Sequence, residues 1–468
     1  MIKVYSFPEN ETESKEFSVL ADGQKIKCHE ARVSAHPINQ VWPGYQRPID
    51  QSELTSFITF GADGEVKMSV ECDYPTDNVI VRPKSKNIKV EIVDGKAEFT
   101  LPGQGQYVLE YGSKHNVLHI FVNPVKDFGI NEENENVVYF GEGVTYLEEK
   151  FVIGSNTTVY VDEGAVVYGA FGAENAENIR IIGYGIIDSS NVERPTGTPL
   201  MFKNCKNVYV EGVIVRDAPQ WTIHFADCDN CVADNIKLIG MWRYNSDGCD
   251  FTNSTNCVLR NSFLRNFDDC IVIKGLAWND KPSVRNIYVD NCVTWCDWGK
   301  NVEIGAETSA DEMTGITIRN CDCIRLMHQG LDLQHGDRAK ISNVLFDDIR
   351  LEYEEKYDRS IMQSEKDQQY EDDNEKHYPP IAAITTVRTM YSKDDHTGEI
   401  DGVTFRNISV TTENDYKPRW WIERYNGVGE ISNVVIENYT LNGEKITEFE
   451  NANIEMGSFA DKSMITIK

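Results

Sequence analysis

The chain has 468 residues, 40% of them hydrophobic, and 75 acidic residues against 46 basic ones give a net charge of -29. That length and apolar content support a packed globular protein, while so acidic a chain repels nucleic acid and anionic membrane surfaces. No stretch approaches the roughly 18 consecutive apolar residues of a membrane span, and Met1 to Phe17 lacks a basic region followed by an apolar run, so no secretory signal is read there.

Residues 1–125 alternate apolar and polar residues with the period of half-buried strands. The clearest runs are EVKMSVECDY from Glu65, NVIVRP from Asn78, KVEIVDGKAEFTL from Lys89, QYVLEYG from Gln106 and VLHIFVNPV from Val117, punctuated by turn residues such as DGK and PGQG. This pattern predicts an antiparallel β-sandwich domain. The run HPINQVWPGYQRP, His36 to Pro48, interrupts it with Pro, Gly and aromatics and reads either as a loop docking on the rest of the chain or as a surface loop.

Residues 126–468 have a different texture. After GVTYLEEKFVIGSNTTVYVDEGAVVYGAF from Gly143, one unit recurs: Asn or Gly, alternating apolar residues, then Asn, Asp or Gly. It starts at Asn178, Asn207, Asn230, Asn256, Asn286, Gly315, Asn343, Gly402 and Asn433, with steps of 29, 23, 26, 30, 29, 28, 59 and 31 residues. Strand-like units at such a period predict a solenoid, and a right-handed parallel β-helix fits best, with Asn and Cys side chains stacked in ladders. Ten of the twelve cysteines lie between Cys205 and Cys323 beside Asn, Asp or Gly, which reads as stacked free thiols and, with no export signal in view, as a cytoplasmic protein; a removed leader would make it secreted. The double step between Asn343 and Gly402 holds the charged stretch from Glu354 to Pro380, read as a solvated insertion or as a lid or subunit contact.

Within the repeat, Asp247 and the pair Asp268-Asp269 are 21 and 22 residues apart, close to the shortest step. Neighbouring rungs lie roughly 4.8 Å apart, so the three carboxylates are placed to meet in one groove. Crowded carboxylates raise one another's proton affinity, leaving one protonated as an acid while another stays ionised, the division that glycoside hydrolysis requires. Taken alone, three aspartates read more readily as turn residues of the repeat than as a catalytic group.

The runs NSDG from Asn245, DDCIVIKG from Asp268 and APQWTIHFADCDN from Ala218 resemble the polygalacturonase-like glycoside hydrolases of family 28 and the related family 49 dextranases. The resemblance covers most of residues 140–345. It implies that Asp268 is the general acid and that Asp247 and Asp269 together activate water, giving inversion at the anomeric carbon with acid and base roughly 6.5–9.5 Å apart. It also implies that Asn245, Trp221 and His224 line the cleft and that Lys274 supports it.

Two departures from the family pattern bear on substrate. Where polygalacturonases have Gly-His-Gly, this chain has Gly299-Lys300-Asn301; where they have Arg-Ile-Lys for the sugar carboxylate, Asp332 and Gln334 stand. An acid in that place repels a uronate, which moves the expectation from pectin to a neutral sugar. Glu303, Glu307 and Asp332 suit sugar hydroxyls, Lys300 takes the histidine's place, and Trp298 and one of the adjacent Trp420 and Trp421 offer stacking faces.

The expected activity is inverting hydrolysis of a neutral, α-linked oligosaccharide or glycan. The alternatives are a uronide hydrolase using Lys300 and Arg325, a polysaccharide lyase on the same scaffold, and a carbohydrate-binding β-helix without activity. The expected partner is an oligosaccharide or polysaccharide, with no nucleic acid and no membrane, and homo-oligomerisation is compatible with the chain. No metal site is read, since the nine histidines are scattered and Cys321 and Cys323 lack a second spaced pair, and no cofactor is expected because no nucleotide fingerprint occurs.

Overall fold

The computed structural model of the protein describes all residues except 41–47, 195–196, 281, 356, 366–367 and 373–376. Its second part is a right-handed parallel β-helix built from stacked parallel strands. The recurring unit is explained by its first two positions. Each Asn or Gly that opens a unit is in the left-handed region, with φ between 53° and 83°, a conformation that Asn and Gly adopt at little cost. The next residue, Ile179, Val208, Cys231, Cys257, Ile287, Ile316, Val344, Val403 or Val434, then points into the continuous core of the coil.

The opening asparagines form a ladder. Asn178 donates to Asn156 at 2.9 Å, Asn207 to Asn178 at 3.0 Å, Asn230 to Asn207 at 2.7 Å and Asn286 to Asn256 at 2.9 Å. Each side-chain amide is both donor and acceptor, so stacked asparagines satisfy one another from turn to turn, and where the run breaks Asn256 donates to Asp229 instead. All twelve cysteines are free thiols, and all but Cys72 are buried.

One face of the coil is a sheet of eleven short parallel strands. Five of them carry the site: Ile223–Ala226, Cys249–Thr252, Ile271–Gly275, Val302–Thr308 and Leu331–His335. Ile223, Cys249, Ile271, Val302 and Leu331 are aligned in register, so residues at equal offsets before them stack in columns.

Ten strands between Ile2 and Asn123 form one sheet facing an apolar core that includes Val19, Phe60, Val70, Val81, Phe99 and Leu109. Its pairings are antiparallel except one: Val117–Asn123 runs parallel to Ser52–Ala62. Three of its strands, Glu13–Ala21, Gln24–Ser34 and Ser52–Ala62, were not among the runs read from alternation, because charged residues and continuous apolar stretches blur their period. The other side of the sheet packs on the coil, with Phe57, Val108 and Phe121 against Ile214, Ile239, Phe263 and Trp295.

Buried ion pairs cross that contact. Arg216 meets Glu11 at 2.6 Å, Arg82 meets Glu352 at 2.5 Å, and Arg325 meets Glu110, which also binds Arg82 within the N-terminal unit at 2.8 Å. Burial alone would raise the Glu11 and Glu110 carboxyls. Hydrogen bonds from His29 and Arg216 outweigh it for Glu11, the cations Arg325 and Arg82 outweigh it for Glu110, and both fall to about 2. Depressed carboxylates stabilise the native state above their unfolded value and lose that contribution as pH falls through the folded value. The thermal midpoint is therefore expected to drop steeply between about pH 4.5 and pH 2, and Glu11→Gln should flatten that drop in a pH series of calorimetric scans.

Candidate active site

The strand register brings the expected acids together. Counting two residues back from the aligned positions gives the column Trp221, Asp247, Asp269 and Lys300, and backbone bonds lock it: Thr222 N donates to Asp247 O at 2.9 Å and Gly248 N to Asp269 O at 2.8 Å. Asp268 precedes Asp269 in the same turn. Gly299 is required beside them, because a Cβ there would lie 2.5 Å from an Asp269 oxygen and 2.8 Å from an Asp268 oxygen.

These residues line a cavity of about 470 Å³, within the roughly 300–1,000 Å³ of small-ligand sites. Asn245, Trp221, Asp247, Asp268, Asp269, Lys274, Lys300 and Glu307 all contribute to its wall. So do Trp298 and Gln334. The Trp298 indole N–H is buried without a partner among the described residues and stands in the same wall.

Two lysines organise the charge. Lys274 Nζ lies 3.2 Å from Asp247, 3.5 Å from Asp250 and 3.9 Å from Glu307, with the Trp221 ring centre 4.1 Å away. Lys300 Nζ lies 3.1 Å from Glu303, 3.7 Å from Asp332 and 3.9 Å from Asp269, and its backbone N–H donates to Asp269 at 2.8 Å. Burial would lower both ammonium groups, but the carboxylates around them hold both well above the usual lysine range.

The acids respond to the same crowding. Burial first, then the adjacent Asp269 carboxylate, push Asp268 up to about 7. Asp247 is raised well above the usual carboxylate range by burial, with Asp250, Asp268 and Asp269 adding to it and Lys274 opposing. Asp250, wholly buried beneath Lys274, is pushed up to about 7 by burial. Burial thus favours the protonated form of Asp247, Asp250 and Asp268, and Asp269 accepts the backbone N–H of Lys300 with the ammonium 3.9 Å away.

Four expected cleft residues lie elsewhere. His224 is buried, hydrogen-bonded to Thr252 at 3.0 Å and covered by Trp221; burial and Lys274 bring it down to about 3, so it is a neutral support. Glu303 and Asp332 are paired in register and capped by Lys300, so they serve that ammonium and do not face the cavity. The expectation that Asp332 itself meets a sugar is corrected by this burial. Trp421 lies two rungs beyond Asp332, under the Arg419 guanidinium at 5.1 Å, outside the cavity, and Trp420 is buried in the core. Arg325, considered for a uronate, is also committed elsewhere, to Glu110 and Glu354.

Other residues of the site were not anticipated. Asp250 sits three positions after Asp247, and the period-two alternation of Cys249–Thr252 was the available signal for it. Arg194, Met390 and Tyr391 reach the cavity from distant loops, Asn39 and Met362 from two short strands, and His328 from the rung turn before Leu331. No cluster of His, Cys, Asp and Glu with metal-binding geometry occurs among the described residues.

A family model described as Glycosyl hydrolases family 28 matches residues 150–458. The exopolygalacturonase of Cochliobolus carbonum is 29% identical over 133 residues, 26% of this chain and 28% of that protein. Polygalacturonase QRT2 of Arabidopsis thaliana is 25% identical over 196 residues, 38% of this chain and 42% of its own. The chain spans less than half the length of the curated relatives it matches. Among solved structures, Dex49A from Penicillium minioluteum matches with a TM-score of 0.68 at 16% identity, over 100% of this chain and 94% of its own, a likeness of fold.

Proposed function

The chain belongs to glycosyl hydrolase family 28, and from that membership we propose that it is an inverting glycosidase for a neutral, α-linked oligosaccharide or glycan. The convergence of Asp247, Asp268 and Asp269 on one cavity carries this reading. Asp268 protonates the departing oxygen, and Asp269 with Asp247 takes a proton from the water that attacks the opposite face of the ring. Trp221 and Trp298 offer apolar ring faces.

Support for a neutral sugar comes from the cations. Each lysine that reaches the cavity is already shared among three carboxylates, and an added uronate would join a cluster that is rich in negative charge. A uronide hydrolase is the second reading. It is favoured by Lys300 and Arg194 in the cavity wall and by the activities named for the curated relatives. A cytoplasmic setting belongs to the proposal and is supported by the buried free thiols.

Reducing-sugar release from a panel of neutral and acidic oligosaccharides, with aryl α- and β-glycosides alongside, tests the choice. Turnover of neutral α-glycosides is expected, and turnover of oligogalacturonate alone would overturn the neutral reading. The pH profile gives a further check. A general acid must be protonated to act, so kcat should fall as pH rises through about 7, the value to which Asp268 is pushed. A profile that stays level to pH 9 would contradict that role.

A further inference from the structure

In an open groove along a β-helix a glycan chain passes over the acids and continues at both ends. Here three segments from outside the site strands stand around the cavity. Before the site rungs, Arg194 reaches across from the turn preceding Leu200, donating to the backbone oxygen of Tyr244 and, at 2.5 Å, to Asn245 Oδ1. It thereby spans the intervening Trp221 rung.

After the site rungs, the turn that follows Ala382–Thr386 brings Met390 and Tyr391 into the cavity wall. Tyr391 belongs to a later rung yet shares the cavity wall with Asp268 and Glu307. The base of that turn is tied down: Lys393 N and Asp394 N donate to Asp337 at 2.5 Å and 2.8 Å, and Arg338 pairs with Asp394 at 2.8 Å.

The third segment comes from the charged insertion. Ile361–Gln363 pairs in parallel with Ile38–Gln40 of the N-terminal unit, with Asn39 opposite Met362, and both of these residues line the cavity. Tyr244 holds the same strand by a 2.6 Å bond to Gln363, and Tyr370 stacks on His36 with ring centres 4.8 Å apart. Ile361–Gln363 is thereby pinned as a wall by the N-terminal unit.

From these three crossings we infer that the site is a closed-ended pocket that takes the end of a glycan chain or a short oligosaccharide, and releases one small product per cut. The inference rests on the glycosidase reading above. Arg194 and Tyr391 block passage along the groove on either side of the acids, and the wall of Asn39 and Met362 closes its flank. Three apolar groups stand partly exposed at this pocket, Met362 at 46%, Tyr391 at 47% and Met390 at 74%, a rim suited to the less polar face of the leaving sugar or to an aglycone.

The test uses the full chain with a hydrolysable glycan identified by the panel, in short and polymeric forms. Time-resolved chromatography of products, viscometry of the polymer, and calorimetric binding of a chain-length series to Asp268→Asn read the outcome. One product size from the first minutes, unchanged viscosity and affinity that stops rising after the first few sugars are expected. Tyr391→Gly combined with Met362→Gly should then admit internal cuts, seen as a mixed ladder of products and a fall in viscosity. A ladder and falling viscosity with the unmodified protein would overturn the closed pocket while leaving the glycosidase reading intact. Absence of hydrolysis and of binding for every glycan would overturn both.

Discussion

Asp268→Asn is expected to lower kcat by about 10²–10⁴-fold, the usual contribution of a positioned general acid, while ligand affinity and folding persist. The substitution keeps the shape of the side chain and the acceptor oxygen that meets Asp269 N at 3.1 Å, but the amide has no carboxyl proton to give. It also removes a charge that burial and Asp269 make unfavourable, so the melting temperature should stay level or rise. The defect should depend on the leaving group. A nitrophenolate departs with little help from a proton, whereas a sugar alkoxide cannot, so aryl glycosides should be hydrolysed with a far smaller loss than natural linkages. Equal losses on both substrate types would mean that Asp268 acts otherwise, and full retained activity would remove it from the mechanism.

The second large effect concerns Lys274, whose replacement by Met should cost both activity and stability. In the native protein its ammonium faces Asp247, Asp250 and Glu307, and these partners raise it despite burial. A raised lysine stabilises the fold at every pH below the unfolded value of about 10.4, so its pairing is present throughout the neutral range. Removing one side of a buried ion pair costs about 3–5 kcal/mol, because the remaining charge is left in a medium that solvates it poorly. Here two of the remaining groups, Asp247 and Asp250, are carboxyls that burial already inclines to hold protons. The loss for Lys274→Met should therefore be large at pH 8, where the native Asp250 is ionised and paired with the ammonium, and much smaller at pH 5, where it is neutral. Denaturant unfolding at the two pH values measures this, and a loss independent of pH would contradict the charge cluster described for the site.

Much of this arrangement could be read before any coordinates. The opening Asn or Gly of each unit and the apolar residue after it carried the coil, since a left-handed turn and an inward side chain leave a mark at adjacent positions. Asp247 and Asp268-Asp269 were legible for the same reason: their separation matched one rung, and stacked rungs place matched residues side by side. What could not be read were consequences of depth and of chain crossings. Nothing local distinguishes a carboxylate that faces a cavity from one capped by a lysine, so Glu303 and Asp332 were placed one layer too far out. His224 was misplaced likewise, because its cover is Trp221 and a lysine from two rungs on. Asn39, Arg194, Met362 and Tyr391 lie in stretches without periodicity, brought in by hydrogen bonds and the pairing of two three-residue strands across tens to hundreds of residues.

The substrate expectation changed in its physical basis. An exposed acid at Asp332 was to repel a uronate; instead Asp332 is buried and Lys300 stands above it. The case for a neutral sugar now depends on the sharing of Lys274 and Lys300 among six carboxylates, which is a statement about free charge in the cavity and not about one residue.

The central claim is that Asp268 and the pair Asp247 and Asp269 act from opposite faces of the sugar ring. Proton NMR of the first-formed product, recorded before mutarotation, reads this directly from the anomeric signal. An α-linked substrate should release the β-anomer first; release of the α-anomer first would mean a covalent, retaining route and would contradict the assignment of all three aspartates.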